Sequence, residues 1–386
     1  MSKKVLMIVY HFPPSTTVGV NRTVGFVKNL PKFGWEPIVL TVHNSNVESH
    51  PDNEFSSIKV FRTKELKLDS KLIRLPDSKV GWLPFCYWAA RKIIKQERPD
   101  VIYVSCPPYS PALVATRFKK PVIVDYRDDW TAIPEFAGWR EIIAEKLERN
   151  FLSNAFSLIS STKTIEKLYK KKKFDIKFKT IFNGYNAISK PTKFNSKQFI
   201  ISYLGNFDES RNPEKLFQAL AKLHGEIKFS FVCAGSENSN NIAKSLAKKY
   251  GVLNNCKFLK FLAYAKAKEL MQESSLLYLK QYPENYAAIA YKTFDYLSTG
   301  IPILADVPEG DNAQLVKTYS NHSYVITSGK VDDIKMSILD AYNKWKKGKL
   351  KIKVDSKFIK NFNWEHLTKQ LVGVFEQAVK NGNTRN

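Results

Sequence analysis

The feature that most constrains the fold is a regular alternation of strand-like and helix-like segments that starts a second time near the middle of the chain. Patterns typical of buried strands occur at residues 5–10, 37–42, 101–105, 121–125, 157–160 and 180–182, with amphipathic stretches between them. The same order resumes at residues 199–204 and continues to residues 301–305. Such alternation predicts parallel sheets covered by helices. We therefore expect an α/β protein with two doubly wound, Rossmann-like domains.

The length agrees with this division, because a chain of 386 residues corresponds to about two to three domains. The stretch 187–197 is polar, contains Pro191 and has no apolar period, so it predicts a linker. The predicted domains are residues 1–188 and 198–362. In doubly wound folds ligands bind at the carboxyl ends of the strands. Polar residues that directly follow a strand are therefore the candidates for a functional site.

The net charge is high, since 61 Lys and Arg stand against 36 Asp and Glu, which leaves +25. The densest basic run is residues 163–179, with eight lysines against Glu166 and Asp175. Lysine outnumbers arginine, and no nucleic-acid-binding motif is present, which argues against a nucleic-acid partner. Two interpretations remain: a lysine-rich solvated surface, or attraction to anionic lipid headgroups or a polyanionic substrate.

The four cysteines lie far apart, with no C-x-x-C pair and no histidine at ligand spacing. This predicts buried, reduced thiols and no metal site. The apolar run near the N-terminus is too short for a signal peptide and is broken at His11-Phe-Pro-Pro. No stretch approaches the ~20 apolar residues that cross a bilayer. We expect a cytoplasmic protein.

Two motifs in the first half place polar groups after strands. The loop from His11 to Gly19 carries small hydroxyl residues before a helix. Such a loop either lets backbone N–H groups approach an anion or is a simple flexible connector. The second motif follows residues 121–124 and brings Asp125, Arg127 and Asp128 to one strand end. Several charges at that position favour function over a local Arg–Asp network that holds the loop.

The second half carries two further motifs. Gly205-Asn206 follows a strand, and Arg211 stands just before a helix, where it suits bidentate binding of a diphosphate; as a lone arginine it could equally be a surface residue. Lys292 and Asp295 are spaced for one face of a short helix that ends at Gly300. They indicate a phosphate and ribose site, with an exposed ion pair as the alternative.

Taken in order, these motifs resemble the GT-B glycosyltransferases of the large retaining group called family 4. The likeness covers nearly the whole chain and includes Ser105-Cys-Pro-Pro-Tyr-Ser, Ile181-Phe-Asn-Gly-Tyr and Lys292-Thr-Phe-Asp-Tyr-Leu-Ser-Thr-Gly-Ile-Pro. The resemblance implies two domains that face each other across a cleft. It also implies that residues 363–386 form a last helix that packs back on the N-terminal domain.

The resemblance implies a nucleotide-sugar donor bound in the C-terminal domain, an acceptor bound mainly by the N-terminal one, and retaining transfer without a metal or other cofactor. The acceptor would be a lipid-linked or cell-surface glycan precursor. The excess of basic residues, which is larger in the first half of the chain, is a candidate means of holding the enzyme at the inner face of an anionic membrane. The implied reaction-centre residues are Arg127 and Asp128, and those on the acceptor side are His11, Tyr109 and Asp125. The implied donor-binding residues are Gly19, Gly205, Asn206, Arg211, Gly235, Glu284, Ala288, Ile289, Lys292 and Asp295.

Within that donor set, the resemblance implies that Arg211 and Lys292 bind the diphosphate, helped by the backbone amides of the Gly19 loop. It implies that Asp295 binds the ribose hydroxyls. Residues 234–236 and 261–264 would border the base. The sequence departs from the family at three places, one of which is Arg127, where many members have a histidine. The acidic pair of the family falls on Ala287 and Asp295, so its first carboxylate is missing, and Glu284 is the candidate to replace it. Asn206 stands where a basic residue is common in the family.

Two other functions stay open at this point. One is a nucleotide-sugar epimerase of similar fold, which needs acid and base groups, of which only His11 is well placed. The other is a basic membrane-binding or polyanion-binding protein that has lost catalysis, which the alanine at position 287 permits.

Overall fold

The structure is a computed structural model, and it describes residues 2–15, 17, 19–43, 55, 57–68, 77–130, 139–188, 197–350 and 352–382. The chain divides into two compact units. The first contains Met1–Gly184 together with Asn363–Asn386, and the second contains Tyr185–Phe362. Most of the predicted linker, residues 189–196, lies outside the described residues.

The first unit is built on a seven-stranded parallel sheet with the order β3-β2-β1-β4-β5-β6-β7. Its strands are β1 (Lys3–Ile8), β2 (Trp35–Val42), β3 (Lys59–Thr63), β4 (Val101–Cys106), β5 (Val122–Tyr126), β6 (Ser157–Ser160) and β7 (Lys177–Thr180). The central strands are buried, as expected where helices cover both faces. The strand order reverses between β1 and β4, which places a switch point for ligand binding at their carboxyl ends.

The helices of this unit that connect the strands are α1 (Val20–Asn29), α2 (Leu83–Glu97), α3 (Ser110–Ala115), α4 (Trp139–Ser153) and α5 (Lys163–Lys171). Helix α5 carries part of the dense lysine run and is strongly amphipathic, with Ile165 and Tyr169 buried. Thr162 caps it, since its side chain accepts a hydrogen bond from the Ile165 amide. Lys163, Lys167 and Lys170 of the basic run thus lie on the exposed side of an ordered helix, and the run continues into β7.

The second unit repeats the pattern with six parallel strands in the order β10-β9-β8-β11-β12-β13. These are β8 (Ile200–Leu204), β9 (Ser230–Ala234), β10 (Cys256–Leu259), β11 (Leu276–Lys280), β12 (Ile303–Asp306) and β13 (Ser323–Ile326). Its helices are α6 (Glu214–Leu223), α7 (Glu237–Lys249), α8 (Tyr264–Glu273), α9 (Tyr291–Leu297), α10 (Asp311–Tyr319), α11 (Val331–Lys346) and α12 (Ser356–Phe362). The order reverses between β8 and β11. The α/β fold with two Rossmann-like domains is thus confirmed.

The last helix, α13 (Trp364–Gly382), belongs to the first unit and packs on α1. The Trp364 ring meets Phe26 edge to face, with 5.5 Å between ring centroids, and it lies directly over Gly25. Further along α13, Phe375 packs on Trp35 at 5.0 Å. Only a residue without a side chain at position 25 lets the indole approach the backbone of α1 this closely.

Replacing Gly25 with alanine should lower the free energy of unfolding of the first unit by about 1–3 kcal/mol, because the added methyl group overlaps the Trp364 ring. The matched control is Gly373→Ala on α13, where a methyl group meets no atom within 4 Å. That control should raise the free energy by about 0.5–1 kcal/mol, since alanine favours helix over glycine. Thermal melting measures both changes. Stabilisation by Gly25→Ala would contradict this packing of α13 on α1.

Several predicted boundaries are shifted in the structure, and two of these differences have a clear physical reason. The strand predicted at residues 180–182 is wrong, because the strand is β7 at Lys177–Thr180. Exposed lysines alternate with half-buried residues along it, and the chain leaves the sheet before Phe182, whose carbonyl accepts from Arg22 Nη1 at 2.9 Å. Helix α7 begins at Glu237, well before the predicted residue 242, because Ser236 caps it through the Ser239 amide at 3.3 Å.

The cysteines and the helices bear on two further predictions. The four cysteines are free thiols, of which Cys86, Cys106 and Cys233 are buried and Cys256 is partly buried. Across the described parts of the chain, no helix combines the length and apolarity needed to cross a membrane.

Candidate functional site

The second unit carries a cluster of site residues at the carboxyl end of β8. The strand ends at Leu204, and Gly205 follows with a φ of +134°, a conformation that glycine adopts readily. The turn is held by the Tyr203 hydroxyl, which donates to the Asn206 carbonyl at 3.0 Å, and by Asn206 Oδ1, which accepts from the Ser236 amide at 2.9 Å. A side chain at Gly235 would overlap the Gly205 carbonyl. The two glycines therefore bring two loops into direct contact.

Lys292 of α9 enters the space that the Gly205 side chain would occupy. A methyl group on Gly205 would overlap Lys292 Nζ, and this Nζ stands 4.1 Å from the centroid of the Tyr203 ring. Lys292 Nζ is buried and has no hydrogen-bond partner among the described residues. Burial, followed by the positive charge of Arg211, lowers the pKa of Lys292 to about 7. A buried ammonium without an acceptor predicts an anionic ligand at this position.

Arg211 supplies a second positive charge in the same cluster. Its Nε donates to Asp208 Oδ2 at 3.0 Å, its Nη2 contacts the same carboxylate, and its amide donates to Asp208 Oδ1 at 2.8 Å. Asp208 therefore holds the guanidinium in a defined orientation and neutralises part of its charge. About a third of the Arg211 side chain stays exposed, at 36%.

Asp295 lies on the same short helix as Lys292, but the two do not form the ion pair considered as an alternative; no such pair occurs among the described residues. Asp295 Oδ1 accepts from the Tyr264 hydroxyl at 3.5 Å. Burial raises the pKa of Asp295 to about 7. Because Lys292 and Asp295 do not pair, burial shifts the pKa of each group toward its neutral form.

The segment before α9 is fixed by buried amides that the sequence analysis missed. Gln281 Nε2 donates to the Ala288 carbonyl at 2.9 Å, Asn312 Nδ2 donates to Gln281 Oε1 at 2.6 Å, and the Thr293 hydroxyl donates to Asn312 at 2.8 Å. Ala288 and Ile289 are buried, each at 7% exposure, and no side chain caps α9. Isolated polar residues without a periodic pattern give no signal for such a network before the fold is known.

Glu284 lies on the single turn Pro283–Asn285 and is exposed, whereas Ala287 is buried. The aromatic residues of the stretch predicted to border the base, Phe261 and Tyr264, are 75% and 43% exposed. Large exposed aromatic rings at the edge of a loop are typical of surfaces on which a planar ligand stacks.

The first unit carries a separate cluster at the carboxyl ends of β1, β4 and β5. Arg127 Nε donates to the Cys106 carbonyl at 3.3 Å, and its Nη2 contacts the Pro107 carbonyl. A side chain at Gly19 would overlap the guanidinium. Burial, followed by the positive charges of Arg127 and Lys79, lowers the pKa of His11 to about 4. The structure thus brings His11, Gly19 and Arg127 together, with the exposed Asp128 beside them.

Asp125 does not fit the acceptor contact predicted for it. The carboxylate is fully buried and accepts from Arg22 Nε at 2.6 Å, from Arg22 Nη2 at 2.8 Å and from the Tyr103 hydroxyl. Arg22 Nη1 continues to the Phe182 carbonyl at 2.9 Å and to Asn183 Oδ1 at 3.2 Å. The sequence alternative was a local Arg–Asp network within the motif, whereas the observed partner, Arg22, is distant in sequence. The network ties α1 to β5 and to the segment that follows β7.

Tyr109 also lies inside the core rather than at a ligand surface. It is fully buried, stacks on Trp130 with 4.8 Å between centroids, and donates to the Asp128 carbonyl at 2.9 Å. Its geometry does not fit a direct acceptor contact. Instead, Tyr109 positions the loop that carries Arg127 and Asp128.

A buried carboxylate behind this loop was missed by the sequence analysis. Glu148 accepts from the Tyr169 hydroxyl at 2.5 Å, from Lys172 Nζ at 2.8 Å and from the Tyr126 hydroxyl at 3.1 Å. The Tyr169 hydroxyl also lies 2.9 Å from Asp129 Oδ1. Burial raises the pKa of Glu148 despite the opposing charge of Lys172. The network connects α4 and α5 to the strand end that carries Arg127.

Within the described ranges, no group of three or more His, Cys, Asp or Glu side chains is placed to hold a metal ion.

Comparison with known protein families identifies the class. Residues 19–181 match the family model described as glycosyl transferase 4-like domain, and residues 185–361 match the one described as glycosyl transferases group 1. The two matches follow each other and together span most of the chain. The protein therefore belongs to the glycosyltransferases with the GT-B fold.

Solved structures give the same fold over the full length. Sucrose-phosphate synthase from Thermosynechococcus elongatus matches with a TM-score of 0.74 at 14% identity, over 97% of this chain and 98% of that one. HepE from Anabaena, in complex with UDP-glucose, matches with a TM-score of 0.67 at 13% identity, over 97% of this chain and 99% of that one. A putative UDP-N-acetylglucosamine 2-epimerase from Listeria monocytogenes matches with a TM-score of 0.62 at 11% identity, over 99% of this chain and 98% of that one. At such identities the likeness establishes the fold alone. The search of curated proteins found no significant match.

Proposed function

We propose that the protein transfers a sugar from a nucleotide-sugar donor to a lipid-linked or cell-surface glycan acceptor, with retention and without a metal ion. The observation that carries the donor half of this proposal is the buried amine of Lys292, which has no acceptor among the described residues and lies against Gly205 at the end of β8. Buried cations are stable only when they are paired. A diphosphate placed there supplies the missing partner.

The second unit offers a group for each part of the donor. Lys292 and Arg211 bind the diphosphate, and the missing side chain at Gly205 leaves room for Lys292 Nζ to lie at the end of β8. Asp295 accepts hydrogen bonds from ribose hydroxyls, which favour its ionised form. Phe261 and Tyr264 border the base, and Asn206, Glu284, Ala288 and Ile289 line the remainder. This assignment is supported by the solved complex of HepE with UDP-glucose, which has the same fold.

The chemistry follows from the charges. When the bond between the sugar and the diphosphate breaks, negative charge develops on the leaving phosphate. Fixed cations such as Lys292 and Arg211 stabilise that charge more strongly than they stabilise the bound donor. No metal is needed for this service, since two positive side chains already stand in the cluster.

In the first unit, His11, Arg127 and Asp128 form the acceptor side and the reaction centre. His11 stays uncharged at neutral pH, because its pKa is lowered to about 4, so it acts as a neutral hydrogen-bonding group. Asp128 is the exposed carboxylate next to Arg127. We also keep in this proposal the prediction that the backbone amides of the Gly19 loop help to bind the diphosphate.

Replacing Arg211 with alanine should weaken binding of the preferred nucleoside diphosphate by about tenfold to a hundredfold, because hydrogen bonds between charged groups are lost. The preferred nucleotide is first found by a thermal-shift screen of nucleotides and nucleotide sugars, since a ligand of the folded state raises the melting temperature. Calorimetry then compares the wild type with Arg211→Ala and with Lys248→Ala, an exposed lysine of α7.

Unchanged affinity in Arg211→Ala would show that the donor site is assigned wrongly. Analysis of the products formed from the nucleotide sugars that the screen selects separates the alternatives. Formation of an epimer of the free nucleotide sugar, without any acceptor, would identify an epimerase. Binding without hydrolysis or transfer from any donor would identify a protein that has lost catalysis.

A further inference from the structure

A groove of about 670 Å³ in the first unit lies outside both clusters described above. It runs along the free edge of the sheet, between β7, α5 and α13. Four lysines line it, namely Lys170, Lys177, Lys179 and Lys369. No Asp or Glu occurs among the described residues that line it. The groove therefore concentrates positive charge on a concave surface.

The fold itself brings these lysines together. Strand residues two apart share one face of a sheet, so Lys177 and Lys179 project from the same side of β7, and both are exposed. Lys369 faces them from the exposed side of α13. Of the four, Lys170 is paired with a carboxylate, that of Glu166 at 2.5 Å; no ion pair of the other three occurs among the described residues. Most of the positive charge in the groove is thus not neutralised.

The floor of the groove adds an observation that does not depend on charge. Ser157 of β6 lines the groove, is 1% exposed, and is the register partner of Lys177. Its hydroxyl oxygen is buried and has no hydrogen-bond partner among the described residues. Buried hydroxyl groups in folded proteins nearly always have a partner. An oxygen-rich ligand in the groove supplies one.

We propose that this groove is a second anion site, which binds a phosphate group of a ligand other than the sugar donor. The phosphate oxygens accept hydrogen bonds from the lysine ammonium groups and from the Ser157 hydroxyl. Lysine ammonium groups bind phosphate as point charges and tolerate different orientations of the ester. The same chemistry is presented by the headgroup of an anionic phospholipid and by a soluble phosphate ester. The groove shares no residue with the donor cluster, by which we mean Gly205, Arg211, Lys292 and Asp295 of the second unit. The two sites are therefore independent.

The test uses the full chain and two probes. Vesicles of phosphatidylcholine, with and without an equal part of phosphatidylglycerol, report on the lipid source by cosedimentation. Pyrophosphate reports on the soluble source by calorimetry at low salt, with the Lys292–Arg211 site saturated by the nucleoside diphosphate that the thermal-shift screen selects. The groove variant is Lys177→Gln/Lys179→Gln/Lys369→Gln. The control is Lys244→Gln/Lys248→Gln/Lys257→Gln, which removes the same charge from exposed positions of the second unit.

The wild type should bind at least one probe, and the groove variant should bind that probe about tenfold more weakly or worse, because each lysine near an anionic group adds to the binding. The control should stay within about twofold, as expected for scattered surface charges. Loss on vesicles alone assigns the lipid headgroup, and loss with pyrophosphate alone assigns a soluble ester. Equal losses in both variants, or no binding of either probe by the wild type, would overturn the proposal.

A second variant keeps the net charge constant. Ser157→Ala removes a hydroxyl that has no partner in the free protein, so it should not lower the melting temperature. It should weaken the probe bound by the wild type several-fold, by loss of one hydrogen bond to phosphate. Nucleotide binding at the donor cluster should be unchanged in both groove variants. Unchanged probe affinity in Ser157→Ala would contradict a ligand seated on the groove floor.

Discussion

Replacing Lys292 with methionine should weaken nucleotide-sugar binding by about tenfold to a hundredfold at pH 7, while the variant melts at or above the temperature of the wild type. Methionine has an unbranched side chain one atom shorter than that of lysine, and it removes a buried ammonium that lacks an acceptor in the free protein. Removal of an unpaired buried charge relieves a desolvation cost, whereas the contact with the diphosphate is lost. Loss of affinity together with undiminished stability separates a binding residue from a structural one.

The pH dependence gives this prediction a second, independent readout. Because the pKa of Lys292 is lowered to about 7 in the free protein, the amine is mostly neutral at pH 8. A bound diphosphate favours the charged form and raises this pKa, so binding at pH 8 should take up about one proton. The affinity of the wild type should therefore fall as the pH rises above 7. At pH 6 the amine is already charged, and Lys292 contributes little proton uptake.

Calorimetry in buffers of different ionisation enthalpy measures this proton uptake. Lys292→Met should show almost none at pH 8, whereas Asp295→Asn should keep it, because Asp295, with a pKa of about 7, is already mostly ionised there. The two variants are thus matched controls for each other on one helix. Proton uptake that persists in Lys292→Met would show that another group meets the phosphate.

Replacing Asp125 with alanine should lower the free energy of unfolding of the first unit by about 3–5 kcal/mol, because it leaves the Arg22 guanidinium buried without its carboxylate. The corresponding fall in melting temperature is roughly 6–20 °C. Scanning calorimetry should show the shift in the transition of the first unit. Nucleotide binding, which we assign to the second unit, should persist below that transition.

The control for this prediction is Asp332→Ala. Asp332 also forms an ion pair, with Lys222 at 2.6 Å, but its side chain is 74% exposed, so its loss should leave the melting temperature almost unchanged. The double variant Arg22→Met/Asp125→Leu should recover part of the lost stability, because it removes both charges. If Asp125→Ala melted like the wild type and lost only activity, Asp125 would be an acceptor residue, as the sequence suggested, and not a structural one.

The sequence predicted the architecture because most strands of both sheets are continuously apolar and are separated by amphipathic helices. A buried parallel strand is a continuous apolar run, so its position can be predicted from the sequence alone. The boundaries of strands and helices were predicted less well. β7 alternates lysine with half-buried residues, and the first turn of α7 is polar and depends on its Ser236 cap. A local cap decides where α7 begins, whereas a contact with the distant Arg22 accompanies the end of β7.

The order of the motifs predicted that Gly205, Arg211 and Lys292 lie close together, but it did not predict the electrostatics of these residues. Lys292 and Asp295 have the spacing of an ion pair, and only the fold shows that the amine turns toward Gly205 and Tyr203 while the carboxylate turns toward Tyr264. The sequence also could not show that the Asp125 carboxylate pairs with an arginine more than a hundred residues away. Contacts of that range follow from tertiary packing and not from spacing.

The most direct test of the central claim is a crystal structure of the protein with the nucleoside diphosphate that the thermal-shift screen selects. The proposal predicts the diphosphate at the carboxyl end of β8, with oxygens within hydrogen-bond distance of Lys292 Nζ and of the Arg211 guanidinium, and the ribose at Asp295. A diphosphate bound elsewhere, with Lys292 Nζ still buried and without an acceptor, would contradict it.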